Sequence, residues 1–181
     1  MKELSLNILD IAQNSVKAGA EHLDILLDQV GNKLTITVAD DGCGMPEEFL
    51  RSVTDPFTTT RTTRKVGMGI PLFKLAAEQT GGSLTIASRQ RTEANPSHGT
   101  TISATFFTDH MDCAPLGDVA STVTTLIQGS PELHLTYVHR VDGKEQRLST
   151  DEMRDMLGPD VPLNDPAVLM WAQDFINEPI E

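Results

Sequence analysis

The sequence is short of sulfur, of positive charge and of long apolar runs. It holds two cysteines in 181 residues, Cys43 and Cys113. That is too few for a disulfide framework or a four-thiolate zinc site, so a reducing, cytoplasmic setting is expected. Lys and Arg number 14 against 26 Asp and Glu, a net charge of −12. Such a balance argues against binding a nucleic-acid backbone or an anionic membrane. No apolar stretch approaches the ~20 residues of a membrane span. The N-terminus, with Lys2, Glu3 and Asp10 in its first ten residues, does not read as a signal peptide. There is no GxxxxGK[ST] phosphate loop, and no GxGxxG after a strand.

The length suits one domain, or one domain with a small addition, and a chain of this size buries roughly 70% of its unfolded surface. Its charge divides unevenly. Residues 1–110 carry 10 basic and 13 acidic side chains, whereas residues 111–181 carry 4 and 13. The change falls near the charged, Pro- and Gly-containing DHMDCAPLG stretch. We therefore expect a main domain over 1–108, a linker over 109–117 and an acidic C-terminal α/β addition over 118–181.

Periodicity supplies the elements. Leu4, Ile8, Ile11 and Ser15 form a helical stripe ended by Gly19. Leu23, Ile25 and Leu27, then Leu34, Ile36 and Val38, alternate as two strands around Gly31-Asn32. Pro46 with Glu47 and Glu48 opens a short helix. Another helix runs from Pro71 to about Thr80, and strands are expected over 83–89 and 100–108. The addition reads as a helix over 118–128, strands over 133–140 and 144–148, and two short helices. Ser149 with Glu152 makes a capping box, and Asp165 precedes Pro166 at the last helix start. The order predicts an α+β layer with helices on one face of a sheet.

Four local signals carry candidate chemistry. Asp10, Asn14 and Lys17, at i, i+4 and i+7, share one helix face and could hold a hydrated Mg²⁺ and a phosphate chain, although many such faces are only solvated. Asp40-Asp41-Gly42-Cys43-Gly44-Met45 follows a strand. Its glycines let backbone approach a flat ligand, and Asp40 could accept from an exocyclic amine, yet the same residues also make plain turns. Thr58 to Lys65 packs five hydroxyls and three cations into eight residues, which suits a polyphosphate lid or a solvated charge run. Gly67-Met68-Gly69-Ile70 leads into the helix that Pro71 starts, where free N–H groups bind phosphate.

Together these stretches resemble the GHKL superfamily of ATP-binding domains, shared by gyrase, Hsp-type chaperones, histidine kinases and mismatch-repair ATPases. Asp10-x-x-x-Asn14-Ser-x-Lys17 is similar to its N box, and Asp40-x-Gly42-x-Gly44-Met45 to its first glycine box. Asp55 to Thr60 resembles the histidine-kinase F box leading into the lid. Gly67-Met68-Gly69-Ile70 resembles the second glycine box, and His98-Gly99-Thr100-Thr101 the closing Gly-Thr strand. The resemblance spans about residues 1–108. It implies a Bergerat-type two-layer sandwich, a mixed β-sheet with helices on one face, that binds ATP and Mg²⁺.

The resemblance also implies roles. Asn14 holds Mg²⁺; Asp40 meets the adenine amino group, with Thr100 beside it. Gly42, Gly44 and Met45 shape the base pocket. Lys17 and the lid residues Thr59, Thr60 and Arg61 meet the phosphates; Gly67 and Gly69 form the lid hinge, and Met68 and Ile70 of the same glycine box also belong to the nucleotide site. Asp10 stands where other branches carry a Glu base, and is one methylene shorter. Lys17 and Phe57 match the histidine-kinase branch. The sequence shows no helical hairpin with an acceptor His, and His110 reads as a solvated linker residue. The implied activity is phosphotransfer from ATP to a separate protein; alternatives are an ATP-gated interaction module with little turnover and a conformational ATPase. Cys43 reads as a small packing residue. Trp171 and Phe175, one turn apart, read as core of the addition, with a partner surface as the alternative.

Overall fold

The computed structural model describes residues 3–53, 69–93 and 97–181. Among them the chain order is α1 (Leu4–Lys17), β1 (His22–Val30), β2 (Lys33–Asp40), α2 (Glu47–Ser52), α3 (Gly69–Glu78), β3 (Ser83–Arg89) and β4 (Gly99–Phe107). Then follow α4 (Val119–Gly129), β5 (His134–Val141), β6 (Lys144–Ser149), α5 (Thr150–Leu157) and α6 (Pro166–Asn177). The strands form one six-stranded sheet in the order β3-β4-β2-β1-β5-β6. All neighbours are antiparallel except β1 and β5, so the sheet is mixed and the fold α+β.

Alternation dictates which face is covered. Leu23, Ile25 and Leu27 on β1, Leu34, Ile36 and Val38 on β2, and Ile102, Ala104 and Phe106 on β4 are all buried, and the residues between them are more exposed. Successive strand side chains point to opposite faces, so this pattern places one face against the helices. Helix α1 lays Leu4, Ile8, Ile11 and Ala12 into that core. Helix α3 adds Phe73, whose ring tilts at 45° on Phe106 with centroids 5.5 Å apart. Such a pair contributes about 0.5–1.5 kcal/mol beyond its area burial.

The acidic C-terminal residues share this sheet and this core. Strand β5 pairs with β1 along the whole of its own length, from His134 against His22 to Val141 against Gln29. Helix α4 packs on α1 and α6 on α4. Residues 109–117 run back to the start of α1 and cap it. The Leu4 and Ser5 N–H groups, which have no intrahelical acceptor, donate to the carbonyls of Pro115 and Leu116 at 2.9 and 2.8 Å. Thr122 Oγ1 donates to the Ser5 carbonyl at 2.9 Å inside the core, and the Glu3 carboxylate accepts from the Asp118 N–H at 3.1 Å.

Turns and caps follow local chemistry. Asp142 and Gly143, at φ 49° and 87°, join β5 to β6 in the left-handed region a two-residue hairpin requires. The Gly31 N–H, at the tip of the β1–β2 hairpin, donates to Asp142 Oδ1 at 2.8 Å and ties the two tips together. Asp165 caps α6 by accepting from the Ala167 N–H at 2.9 Å. Only half of the expected capping box forms at α5. Ser149 Oγ accepts from the Glu152 N–H at 3.5 Å, but the Glu152 carboxylate turns to Arg147 instead. Trp171 also departs from expectation: it is 47% exposed, so it is not core.

Asp41 pins the entry to β1 against the exit of β2. Its Oδ1 accepts from the Glu21 and His22 N–H groups, both at 2.8 Å, and its Oδ2 meets His22 Nδ1 at 2.7 Å. Burial works to raise this carboxyl, but the backbone and ring hydrogen bonds of His22 and the backbone one of Glu21 hold it below its ordinary 3.8. A carboxylate lowered by folding adds stability above its unfolded pKa, and that stability is lost as pH falls through the folded value. Asp41→Asn should therefore lower the melting temperature near neutrality, and the gap to the unmutated protein should close below pH 3.8. Thermal melts of both across an acid series check this.

Candidate functional site

The site lies where α1 passes the end of β2. Both elements are fixed by their apolar faces, so their polar residues meet at the rim of the core. Ser15 sits on the buried stripe of α1, and its hydroxyl donates to Asp40 Oδ2 at 2.6 Å. The other oxygen of Asp40 accepts from the Gly42 N–H at 2.8 Å. The carboxylate is thus held from both sides by donors, and each oxygen keeps lone-pair capacity for a ligand.

A cavity of about 260 Å³ opens beside Asp40. Its walls are Ile11, Met45, Phe49, Val53, Ile70 and Ile102, and Asn14, Ser15, Lys17, Asp40 and Thr100 supply its polar groups. An apolar slot with a few converging polar side chains is the usual form of a small-molecule site. Asn14 is half-buried and Lys17 exposed at its edge.

The loops around the slot are set by glycine. Gly44 has φ 74°, and a Cβ there would stand 2.1 Å from the Arg89 carbonyl oxygen. Gly99 has φ 141°, and a Cβ there would stand 2.0 Å from the Asp40 carbonyl oxygen. Only glycine lets the start of β4 pass this closely over the end of β2. The register follows: Asp40 lies opposite Thr100, and Thr100 opposite Ser88.

The structure thus brings together Asn14, Lys17, Asp40, Gly44, Met45, Ile70 and Thr100 as walls of one cavity. Gly42 is buried behind Asp40 and shapes the loop without lining the slot. Gly69 opens α3 against α1: a side chain there would come within 3.6 Å of Asn14 Nδ2 and 3.7 Å of Asp10 Cβ. Asp10 lies on the same face, outside the slot. Burial pushes its carboxyl above the ordinary value, against the pull of Lys17. Thr59, Thr60, Arg61, Gly67 and Met68 lie outside the described residues. Cys43 is exposed, not packed, because Gly42 and Gly44 turn the loop outward around it.

Three supporting residues were not among the expected site residues. Ser15 had a signal, a hydroxyl on an otherwise apolar helix stripe, which implies a buried partner. Ser88 bonds Thr100 Oγ1 at 2.7 Å and accepts from the Met45 N–H at 2.9 Å. His98 Nδ1 lies 2.6 Å from the Gly42 carbonyl, so that nitrogen carries the proton. Ser88 has no sequence signature, since it acts across strands, and His98 stands in the closing motif without any sign there of its bond to Gly42. Among the described residues no three His, Cys, Asp or Glu side chains gather to hold a metal.

A mixed sheet with helices on one face and a slot at the end of a central strand defines an α+β ATPase fold of the Bergerat type. The family model described as histidine kinase-, DNA gyrase B-, and HSP90-like ATPase matches residues 2–110, and the chain belongs to that family. The tetrathionate sensor histidine kinase TtrS of Salmonella typhimurium is 32% identical over 115 residues, covering 64% of this chain and 19% of that protein. The sensor histidine kinase CitA of Klebsiella pneumoniae is 29% identical over 83 residues, covering 44% of this chain and 15% of that protein. The chain therefore spans less than a fifth of the length of these relatives. The ADP-complexed MutL ATPase domain of Aquifex aeolicus is similar in fold, with a TM-score of 0.53 at 13% identity, over 87% of this chain and 68% of that one.

The raised Asp10 carboxyl carries a testable cost. A carboxylate raised by folding destabilises the native state at neutral pH, and the penalty vanishes below its unfolded value. Asp10→Asn should raise the melting temperature of the ligand-free protein at pH 7, and the gain should shrink as pH is lowered toward 3.8. Melting curves of both proteins at several pH values check it.

Proposed function

We propose that this histidine-kinase-like ATPase domain binds Mg-ATP in the slot beside Asp40 and passes the terminal phosphoryl group to a separate protein. The observation that carries the reading is the doubly held Asp40 carboxylate facing an apolar slot. Ser15 and Gly42 fix its orientation, so its remaining lone pairs can accept from the amino group of adenine. The flat base lies between the apolar walls of Ile11, Met45, Ile70 and Ile102, with Thr100 at its polar edge. The phosphates extend toward Asn14 and Lys17 along α1. Asn14 offers one hard oxygen, which fits Mg²⁺, a cation that takes few protein ligands and completes its shell with phosphate oxygens and water. When bound, that ion neutralises the phosphate chain. Asp10, on the same face and with its carboxyl raised, is the candidate base for the incoming nucleophile. The bond from the terminal phosphorus to its bridging oxygen breaks, and one to the acceptor protein's nucleophile forms.

A second reading is supported by the packing of α4 on α1. The helix that carries Asp10, Asn14 and Lys17 also supports the acidic C-terminal residues, so nucleotide binding could regulate a partner with little turnover.

Asp40→Asn tests the base pocket cleanly, because an amide can still accept from Gly42 and donate to Ser15. Facing the adenine amine with a donor should cost about 1–3 kcal/mol, roughly ten- to a hundredfold in affinity. Calorimetric titration should show ATP bound well ahead of GTP by the unmutated protein; equal binding of the two would overturn the adenine assignment. Product then separates the readings. With γ-labelled ATP and a cell extract, label on a protein band that needs this chain and disappears with Asn14→Ala supports phosphotransfer. Free phosphate alone marks a conformational ATPase, and nucleotide binding without either product marks the ATP-gated module.

A further inference from the structure

A second cavity, about 420 Å³, lies between α5 and α6, away from the nucleotide slot. Met153, Met156, Leu157, Val161, Val168 and Trp171 line it, and Asp165 stands at its edge. Its apolar lining reaches solvent. Met156 is 78% exposed, Trp171 47% and the neighbouring Met170 66%. Trp171 stacks on Phe175 at 13° with centroids 5.3 Å apart. Large apolar side chains in one exposed groove mark an interaction surface more than a solvated face. Methionine adapts its shape to whatever enters, and a large aromatic ring offers it an anchor.

Charge selects the occupant. Residues 150–181 carry eight carboxylates and one cation, Arg154. Arg154 is already committed to Asp151 and to the carbonyls of Pro131 and Leu133. Asp165 is in the groove lining, and exposed Asp155 and Asp174 lie on the two helices that form it, with exposed Asp160 on the segment between them. The groove is thus an apolar floor with an anionic rim. A second copy of this chain, at net charge −12, would bring like charge to that rim. We infer that the α5–α6 groove docks a basic amphipathic helix of another protein, its apolar side chains on the floor and its Lys or Arg residues against the rim. The inference goes beyond the nucleotide reading and does not rest on it.

Trp171 is the chain's one tryptophan, so its emission reports the groove directly. The probes are three synthetic Trp-free peptides: a Leu/Lys peptide with leucines at helical spacing, its Leu/Glu counterpart, and the Leu/Lys composition in scrambled order. The first should give a saturable blue shift that weakens with added salt, and the other two should not. Met156→Lys should weaken binding by about tenfold or more, as expected for losing an anchor and gaining a like charge. Met111→Lys makes the same charge change at a residue outside the groove lining, 92% exposed, and should leave binding nearly unchanged. Unaltered melting temperatures verify that both variants fold. The proposal is overturned if the first peptide gives no saturable shift, or if either control peptide binds as well. Equal weakening by the two variants overturns it too. So does an emission shift that tracks protein concentration alongside a dimer mass in light scattering, because a second copy would then cover the groove.

Discussion

The hydrogen bond from Ser15 to Asp40, at 2.6 Å, joins the two elements on which the site depends. Helix α1 has to satisfy two demands at once. One face buries Leu4, Ile8 and Ile11, and an adjacent face presents Asp10, Asn14 and Lys17. Any roll of the helix about its axis would spoil both. Ser15 lies at the seam between these faces, and its bond to Asp40 fixes the roll. The same bond orients the carboxylate that faces the slot. Beyond Asp40 the constraint passes outward: Gly42 closes the turn, His98 holds its carbonyl, and Gly99 brings Thr100 alongside. The geometry of a polar site is thus set by the packing of an apolar core.

Much of this was legible in the sequence because the relevant signals are local. Alternation in β1, β2 and β4 was read correctly since each strand buries one face only. The glycines at 42, 44 and 99 mark close backbone approaches, and five motifs in order pointed to the family. The long-range relations were not legible. Nothing in Leu133–Arg140 says that this strand lies parallel to β1, or that the acidic C-terminal residues extend the same sheet. Ser88 became visible as a site residue, and His98 as the partner of Gly42, only once segments far apart in the chain were aligned. Trp171 and Phe175 show the limit of pattern reading on a helix: one turn of spacing puts them on one face, but what covers that face depends on neighbours. Cys43 was misread for a similar reason, since loop curvature, not residue type, set its exposure.

The chain also separates its tasks by charge. The slot beside Asp40 sits among residues of nearly balanced charge, which suits the anionic ligand proposed for it. The carboxylates are concentrated at the far end of the sheet, on α5 and α6 and around the second groove. An excess of one sign beside the slot would repel polyphosphate; placed beyond β5 it leaves that encounter largely undisturbed at physiological salt, where screening acts within about 8 Å.

The cap on α1 has a consequence for how the chain is made. The N–H groups of Leu4 and Ser5 wait for carbonyls at 115 and 116, and the Ser5 carbonyl meets Thr122, 117 residues further on. Strand β1 likewise has its second neighbour only when β5 arrives. On the ribosome, the first two strands therefore emerge as a hairpin with an open edge, and the opening helix as a segment without its cap. Contacts this distant in sequence close late, because the intervening loop must first lose its entropy. The acidic residues after 110 thus emerge later than the helix and strand that they complete.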